Sequence, residues 1–412
     1  MARIVMKFGG TSTANTETLR VCAARVAEEV LAGHQVAVVV SAPAGMTDDL
    51  TARIAEFDPN SHHLDEADLV LSSGEQINAG LLAMALRQLG HSARSWTGWQ
   101  SGFITDDNHG QARLSETRTQ DLIASLEQGH VAVLTGFQGI SEAGRITTLG
   151  RGGSDVSAVA LATAIKADRC DIYTDVTGVF TADPRMVPEA KRIDVLSSEE
   201  MLEMASSGAK VLHTRSVELA LSEDVPLRVL STFEPGPGTR IMPGRQMAGL
   251  ETHLASGVTY SRDQSRISLY GLQSQVGLIT QIFGAMTEAK INVDMIVQSP
   301  SLHRDRTNLV FATNRGDHEA ALAVLRRLAI TLMYQRLEVS PIMAKVSIIG
   351  LGLRSQAGMA HTFFKALSKA GIAMDAVATS ELRISALITE NLVEQAVCAL
   401  HFAFDLDRNA DG

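Results

Sequence analysis

Cysteine is scarce in this chain, which has 412 residues but only three cysteines, Cys22, Cys170 and Cys398. They are far apart, odd in number and show no C-x-x-C spacing, so neither a disulfide framework nor a zinc site is expected. A reducing compartment such as the cytosol fits this cysteine usage best.

The chain also lacks an excess of basic charge and long apolar runs. The chain has 36 Lys and Arg against 46 Asp and Glu, and its formal charge of −10 disfavours a nucleic-acid partner, which requires a basic face to neutralise phosphates. No run approaches the ~20 apolar residues of a membrane helix, and residues 1–8 indicate a short strand instead of a signal peptide. We therefore expect a soluble, cytoplasmic protein without a membrane or nucleic-acid partner.

Apolar residues, in contrast, are plentiful at 45%, and the length favours at least two domains. Up to about residue 230, Val- and Ile-rich runs alternate with amphipathic stretches, as in strands buried on both faces and the helices that cover them. This pattern predicts an α/β domain with a mostly parallel sheet between helices. The strand candidates are 3–8, 35–41, 131–135, 171–174 and 227–230. Segments rich in Pro and Gly at 234–239 and 243–244 then mark a boundary.

An internal repeat occupies the C-terminal part of the chain. Residues 283–299 and 364–380 match at many positions with a constant offset of 81, and Gly277 and Gly358 precede them at the same offset. Each copy has the pattern strand, glycine, helix, strand, strand. The repeat therefore predicts two small βαββ units of the α+β type.

Two glycine-rich turns in the first domain indicate anion binding. Residues 7–12 (KFGGTS) follow the first strand, and residues 150–155 (GRGGSD) open a helix for which Ser154 is a suitable N-cap. Glycines let backbone N–H groups approach an anion, and a helix N-terminus adds positive potential beside Lys7 and Arg151. A tight turn with a surface lysine, and a capped helix after a flexible loop, are the purely structural alternatives.

Three further segments carry polar groups at strand ends, where open α/β sheets hold their ligands. Residues 72–75 (SSGE) start a helix, and Glu75 suits a substrate ammonium, although a first-turn glutamate is common without any ligand. Residues 41–48 (SAPAGMTD) suit a carboxylate or form a plain loop. Residues 173–185 (YTDVTGVFTADPR) combine an aromatic ring, hydroxyls, carboxylates and an arginine that could seat a nucleotide.

Taken together, these segments resemble the signature segments of aspartate kinase (aspartokinase), a member of the amino-acid kinase family. The resemblance covers nearly the whole chain in the family's order, and the repeat resembles that family's paired ACT domains. It rests on residues 7–12, 73–75, 149–155, 174–185 and 208–213 (GAKVLH). The implied domains are a catalytic amino-acid kinase domain at 1–235, a linker with a possible strand at 236–263, and ACT domains at 264–342 and 343–412.

The resemblance also implies roles for individual residues. Lys7 would bridge the transferring phosphoryl group, and Asp155 would organise Lys7 and the site. The substrate aspartate would be bound by Ser41, Thr47, Glu75, Arg151, Gly153 and Ser154. ATP would be bound by Lys7, Phe8, Gly9, Gly10, Thr174, Asp175, Phe180, Thr181, Asp183, Arg185 and Lys210. Mg²⁺ would accompany the ATP phosphates, with no separate metal site on the protein.

The repeat would be the regulatory part, with lysine, threonine or both bound between paired ACT units. The candidate effector contacts are Ser274, Gly277, Asn292, Val293, Asp294, Gln298, Met374, Asp375 and Glu381. A homo-oligomer formed through the ACT domains is expected, and an internal start near Met247 could give a shorter regulatory chain from the same gene. Phe180 stands where the family often has tyrosine, and residues 43–44 interrupt a usual Ser-Ala-Met-Gly-Gly segment.

The resemblance predicts transfer of the ATP γ-phosphoryl group to the side-chain carboxylate of aspartate. Elementary chemistry agrees, because a carboxylate is already ionised at pH 7 and needs no general base, whereas two anions must be neutralised and held in line. Two alternatives stay open. One is a kinase for glutamate or acetylglutamate, which residues 73–75 and the repeat disfavour. The other is an amino-acid sensor whose kinase domain is inactive. The presence of Lys7, Arg151, Asp155 and Lys210 disfavours this second alternative.

Overall fold

The computed structural model describes residues 1–244, 255–273, 275–301, 305–353 and 358–408. Within these ranges the strands are β1 (Arg3–Phe8), β2 (Gln35–Val40), β3 (Ala93–Trp96), β4 (Phe103–Thr105), β5 (Leu114–Thr117), β6 (Val131–Thr135), β7 (Gln138–Ser141), β8 (Ile146–Thr148), β9 (Arg169–Thr174), β10 (Val195–Ser197), β11 (Leu227–Ser231), β12 (Thr239–Met242), β13 (Gly257–Gln273), β14 (Val293–Pro300), β15 (Arg306–Thr313), β16 (Arg336–Ile349), β17 (Ala376–Thr379) and β18 (Arg383–Thr389).

Helices separate most of these strands. They are α1 (Thr16–Leu31), α2 (Met46–Phe57), α3 (Leu64–Leu71), α4 (Ser73–Gln88), α5 (Gln120–Glu127), α6 (Gly153–Ala164), α7 (Ser198–Ser206), α8 (Thr214–Ser222), α9 (Leu278–Glu288), α10 (His318–Arg327), α11 (Ala329–Leu332), α12 (Met359–Lys369) and α13 (Val393–Ala403).

The chain forms two compact units. The first consists of Met1–Val179, Arg192–Ala205 and Lys210–Leu250, and the second of Phe180–Lys191, Ser206–Ala209 and Glu251–Gly412. Two segments of the second unit, Phe180–Lys191 and Ser206–Ala209, therefore lie in the chain between segments of the first unit.

The first unit is built on an eight-stranded sheet with the order β10-β12-β11-β9-β1-β2-β6-β3. Its neighbouring strands pair in parallel, except for the antiparallel pair β11 and β12. A smaller four-stranded sheet, β5-β4-β7-β8, accompanies it. The prediction of an α/β domain with a mostly parallel sheet is confirmed.

The two faces of β1 have different environments. Met6 and Phe8 are fully buried in a cluster with α1 and α4, while α6 packs on β1 as well. Because side chains alternate along a strand, Lys7 lies on the opposite face from these two apolar residues. The strand thus places one cation at the carboxyl end of the sheet, next to α6.

The helical stretch Leu64–Gln88, formed by α3 and α4, is long and apolar enough by composition to cross a membrane. It nevertheless carries Asp68, Glu75 and Asn78, which are buried and hydrogen-bonded to other parts of the first unit. These polar contacts identify it as a core helix of the unit.

Helix α6 begins at Gly153, two residues earlier than a cap at Ser154 would require. Its N-cap is Gly152, whose φ of 76° lies in the left-handed region, and Ser154 lies inside the first turn. The prediction of Ser154 as N-cap is therefore wrong. Glycine occupies the cap because it adopts this conformation without a steric penalty.

The second unit contains a six-stranded antiparallel sheet with the order β14-β15-β13-β16-β18-β17. The first strands of the two repeats, β13 and β16, pair with each other at its centre. Gly277 and Gly358 are the left-handed N-caps of the equivalent helices α9 and α12. Each repeat also continues into helical structure that the βαββ prediction did not include, α10 and α11 in the first and α13 in the second.

The segment 236–263, predicted as a linker with a possible strand, contains β12 and the first part of β13. β12 pairs with β10 and β11 in the first unit, and β13 begins at Gly257 in the second. Met247, the proposed internal start, and Ser274, a proposed effector contact, lie outside the described residues.

Candidate active site

The candidate site of the first unit lies at the carboxyl ends of three adjacent parallel strands. Phe8 is in register with Val40 of β2 and with Tyr173 of β9, so the loops after these strands start side by side. Open α/β sheets hold ligands at this edge. The glycine-rich segment after β1, the loop from Ser41 and the segment from Thr174 all begin there.

Lys7 and Asp155 form the central contact of the site. Lys7 Nζ lies 2.6 Å from Asp155 Oδ1, and the two side chains are only 12% and 11% exposed. A Cβ placed on Gly9 would lie 3.5 Å from Lys7 Nζ, so the lysine lies over the glycine turn. The pair joins the end of β1 to the first turn of α6 and holds a cation where an anion could bind.

Some backbone groups of the glycine turn after β1 already have hydrogen-bond partners within the protein. The Gly9 N–H donates to the Tyr173 carbonyl at 3.2 Å, and the Ala44 N–H donates to the Gly10 carbonyl at 3.1 Å. Phe8 stacks on Tyr173 with 4.8 Å between ring centroids and is fully buried. Any contact of Phe8 with a ligand must therefore involve its backbone.

The second glycine-rich turn is held against α8. A Cβ on Gly152 would lie 2.1 Å from His213 Cγ, so the imidazole occupies the space beside the α6 N-terminus. Arg215 donates to the carbonyls of Leu149 and Ala112 at 2.5 and 3.2 Å and so ties α8 to this loop. Burial lowers the pKa of His213 below its ordinary value. The sequence assigned no role to His213 beyond its place in the 208–213 motif.

The other residues of the 150–155 segment differ in exposure. Arg151 is exposed, whereas Gly153 and Ser154 are buried. A Cβ on Gly136 would lie 2.7 Å from Ser154 Oγ, and one on Gly153 would lie 2.9 Å from Leu149 Cβ. Close packing thus fixes the start of α6, while the Arg151 side chain stays accessible to a ligand.

Glu75 is a buried carboxylate in the first turn of α4. One oxygen, Oε1, accepts from the Ala42 N–H at 3.0 Å, and the other, Oε2, is buried with no hydrogen-bond partner among the described residues. Burial raises the pKa of Glu75 to about 7. The arrangement suits a ligand cation, because an ammonium would satisfy Oε2 and stabilise the charged form.

The loop after β2 is tied to the loop after β1 by two residues that the sequence analysis missed. Asn78 of α4 donates to the carbonyls of Thr13 and Ser41. The Thr13 hydroxyl, which has a single proton, lies within hydrogen-bond distance of the carbonyls of both Gly9 and Ser41. Both side chains are buried. The only sequence signal was a polar residue one turn after Glu75 on the same face of the helix. Thr47, a predicted substrate contact, lies half-buried in the first turn of α2.

The predicted nucleotide contacts fall in both compact units. Thr174, Asp175 and Lys210 belong to the first unit, where the Thr174 hydroxyl donates to Asp175 Oδ1 at 3.1 Å and Lys210 is exposed. Phe180, Thr181, Asp183 and Arg185 belong to the second unit.

In the second unit, several of these side chains already have protein partners. Thr181 Oγ1 accepts from the Lys191 N–H and lies 2.9 Å from His401 Nε2. Asp183 accepts from Arg185 and from the Tyr260 hydroxyl, and the Arg185 hydrogen bond lowers the pKa of Asp183 to about 2. Phe180 is half-buried.

The candidate effector residues include two repeat-equivalent aspartates, each paired with a cation of the other repeat. Asp294 Oδ2 lies 2.5 Å from Lys345 Nζ, and Asp375 Oδ2 lies 2.7 Å from Arg266 Nη1. Lys345 is only 4% exposed. Of the remaining candidates, Asn292, Gln298 and Glu381 are exposed, while Val293 and Met374 are half-buried. Gly277 caps α9.

Models of known families match three parts of the chain. The amino acid kinase family matches residues 2–231, and ACT domains match residues 265–330 and 346–404. The first match spans more than half of the chain and contains every strand of the eight-stranded sheet except β12. The two others coincide with the two repeats.

Comparisons with full-length proteins indicate the same family. An aspartate kinase of Pseudomonas putida is 44% identical over 413 residues, with 100% of this chain and 99% of the relative covered. Crystal structures of E. coli aspartokinase III, each 28% identical, superpose on 97% of this chain. The complex with aspartate and ADP has a TM-score of 0.81 with 99% of that chain covered, and the complex with lysine and aspartate has 0.75 with 98% covered. This chain therefore belongs to the aspartate kinases of the amino acid kinase family, with two C-terminal ACT domains.

Proposed function

We propose that this protein transfers the γ-phosphoryl group of ATP to the β-carboxylate of L-aspartate, giving 4-phospho-L-aspartate, the first step towards lysine, threonine and methionine. The observation that carries the proposal is the buried Lys7–Asp155 pair at the carboxyl end of the central strands. It provides a fixed cation beside a helix N-terminus, which is what two approaching anions require.

The amino group of aspartate would bind to Glu75 and its α-carboxylate to Arg151, with Ser41, Thr47, Gly153 and Ser154 assisting. The buried Glu75 Oε2 without a partner and the exposed Arg151 guanidinium support this orientation. An ammonium at Glu75 would lower the pKa of that carboxyl and turn an unfavourable buried acid into an ion pair.

ATP would be bound by the glycine turn from Phe8 to Gly10, by Thr174, Asp175 and Lys210, and by Phe180, Thr181, Asp183 and Arg185. Among the described residues, no group of three or more His, Cys, Asp or Glu side chains is arranged to hold a metal ion. Mg²⁺ would therefore be held chiefly by the ATP phosphates, where it supplies charge neutralisation.

Catalysis in this proposal consists of positioning and charge neutralisation. The acceptor carboxylate is ionised at neutral pH, so no side chain has to remove a proton. Lys7 would stabilise the charge that spreads over the transferring group, and Asp155 would hold Lys7 in place through the 2.6 Å contact. The in-line approach of the two substrates would come from the loops after β1 and β2.

We also propose feedback regulation by lysine, threonine or both at the paired ACT domains. The candidate contacts are Ser274, Gly277, Asn292, Val293, Asp294, Gln298, Met374, Asp375 and Glu381. A relative crystallised with lysine supports this class of effector. A cytoplasmic homo-oligomer joined through ACT domains, together with a shorter chain started near Met247, would complete the regulatory assembly.

Trapping of an acyl phosphate with hydroxylamine tests the function. The assay uses MgATP with aspartate, glutamate or acetylglutamate, each with and without lysine or threonine. We expect product with aspartate alone and its suppression by one or both amino acids. Product with another acid would overturn the substrate. No product with any acid, combined with tight lysine or threonine binding, would make the protein a sensor.

A further inference from the structure

Asn78 is a fully enclosed polar side chain to which the proposed function assigns no role. It is 1% exposed and lies one turn after Glu75, on the buried face of α4 that also carries Ala79 and Leu82. A buried carboxamide is costly unless its hydrogen-bonding groups are satisfied, so its partners indicate what it does.

Those partners are two backbone carbonyls on different loops. Asn78 Nδ2 lies 3.1 Å from the Thr13 carbonyl and 2.9 Å from the Ser41 carbonyl. Because carbonyl oxygens can only accept, the nitrogen of the carboxamide must face them, and both of its protons are used. Thr13 follows the glycine turn after β1, and Ser41 is the first residue after β2.

Thr13 completes the connection from the other side. It is fully buried, and its hydroxyl lies 3.1 Å from the Gly9 carbonyl and 3.2 Å from the Ser41 carbonyl. The Ser41 carbonyl therefore lies within hydrogen-bond distance of both the Asn78 carboxamide and the Thr13 hydroxyl. The two loops also approach closely, since a Cβ on Gly10 would lie 3.2 Å from the Ala42 carbonyl.

We propose that Asn78, acting with Thr13, is a positioning residue that fixes the loop after β1, which would meet the phosphoryl group, relative to the loop after β2, which would meet the acceptor. The inference rests on the proposed function. Phosphoryl transfer requires the two substrates in line, and a displacement of about 1 Å costs on the order of 100-fold in rate. Asn78 suits the task because one planar NH₂ group reaches both loops at once.

Glu75 and Asn78 hold the second loop in complementary ways. Glu75 Oε1 accepts from the Ala42 N–H, and Asn78 donates to the adjacent Ser41 carbonyl. One face of α4 thus hydrogen-bonds both to the Ala42 N–H and to the Ser41 carbonyl. Loss of Asn78 leaves Glu75 in place, so the expected defect lies in the alignment of the two loops and less in the binding of the aspartate ammonium.

The test compares Asn78→Asp with Leu86→Ala on the same helix. Aspartate has the same shape as asparagine but cannot donate to two carbonyls, whereas Leu86 is fully buried in the core at the far end of α4. Both variants should lower Tm. We expect Asn78→Asp to lower kcat by about 10- to 100-fold with the KM for ATP changed by less than about threefold, and Leu86→Ala to keep kcat per folded molecule within about twofold.

A double-mutant cycle provides a second measurement, which serves also if Asn78→Asp does not fold. Asn78→Ser keeps one donor, and Thr13→Val removes the hydroxyl that shares the Ser41 carbonyl. We expect intermediate losses of kcat and a combined loss clearly different from the product of the single losses, because both side chains act on one acceptor.

The outcomes separate this inference from the function on which it rests. If the unmutated protein is active, either of two results would overturn the positioning role alone. One is an equal kcat for Asn78→Asp and Leu86→Ala. The other is strictly independent effects of Asn78→Ser and Thr13→Val on kcat. An unmutated protein that forms no acyl phosphate with aspartate would overturn the proposed function and, with it, this inference.

Discussion

Lys7 and Asp155 are 148 positions apart in the chain, yet Lys7 Nζ and Asp155 Oδ1 lie 2.6 Å apart in the first unit. The contact exists because the central strand β1 is covered by α6, whose first turn carries the aspartate. Neither side chain is more than 12% exposed, so water screens the pair only weakly.

Replacing Lys7 by alanine should reduce kcat and leave the KM values nearly unchanged. We expect a loss of at least about 100-fold, because the cation acts mainly on charge that develops in the transition state. Steady-state kinetics with aspartate and MgATP measures it. Lys365→Ala on the exposed face of α12 is the matched control. Near-normal turnover of Lys7→Ala would refute the role of Lys7.

Asp155→Ala should also be severely impaired, through lost positioning of Lys7. The pH dependence of its residual rate should equal that of the unmutated protein, because Asp155 removes no proton in the proposed reaction. A new ionisation in that profile would instead identify Asp155 as a base.

Glu75→Gln should raise stability at alkaline pH while weakening aspartate binding. The folded-state pKa of Glu75, about 7, lies above its ordinary value of 4.5 because of burial. The folded protein therefore holds a proton that the unfolded chain releases, and stability falls as pH rises from about 4.5 through about 7. Tm measured from pH 4 to pH 9 should show this fall, and Glu75→Gln should remove it.

Aspartate binding gives a second, independent measurement of the role of Glu75. A ligand ammonium at Glu75 favours the carboxylate, so saturating aspartate should raise the Tm of the unmutated protein most above pH 7. The KM for aspartate should rise at least about tenfold in Glu75→Gln, as expected for a lost charge-assisted contact. An unchanged KM would place the substrate ammonium elsewhere.

Gly152→Ala should disrupt the site far more than Gly144→Ala. Both glycines have a positive φ, 76° and 77°, so the backbone strain of an alanine is the same. A Cβ at Gly144 meets open space, whereas one at Gly152 would overlap His213, with 2.1 Å to Cγ. We expect Gly144→Ala to cost about 1 kcal/mol of stability with normal activity, and Gly152→Ala to lower kcat at least about tenfold. Equal activities would show that the imidazole moves aside freely.

Asp294→Asn should destabilise the second unit, because it leaves the Lys345 ammonium, which is 4% exposed, without its counter-ion. We expect about 1–3 kcal/mol, since the Asp294 side chain is itself 40% exposed and partly screened. The double variant with Lys345→Met should recover much of this loss. Glu394→Gln, which breaks an exposed pair with Arg262, should change stability by less than about 0.5 kcal/mol.

The pH dependence of this pair has a defined sign. Burial raises the pKa of Asp294, but the Lys345 ammonium more than compensates and holds it below 3.8. The stability that the pair contributes is therefore present above about pH 4 and is lost as the pH falls through the lowered pKa. A denaturation series on the unmutated protein should show an acid loss that Asp294→Asn lacks.

The sequence by itself determined the alternation of strands and helices, the two repeats, and the segments at which the candidate site is found. These are local properties: apolar periodicity, glycine at turns and a constant 81-residue offset are visible without knowing any contact. The helices α10 and α13 were not predicted, because the repeat pattern of strand, glycine, helix, strand, strand ends at the third strand of each copy.

Only the tertiary structure decided the strand order, the pairing of Lys7 with Asp155, and the assignment of Phe180–Lys191 to the second unit. It also decided that Gly152 and not Ser154 caps α6, and that Asn78 and Thr13 join two loops. The physical reason is that such contacts depend on which buried polar groups find partners across the fold. A hydrogen bond between residues 37 positions apart, such as that from Asn78 to Ser41, leaves no periodic trace in the chain.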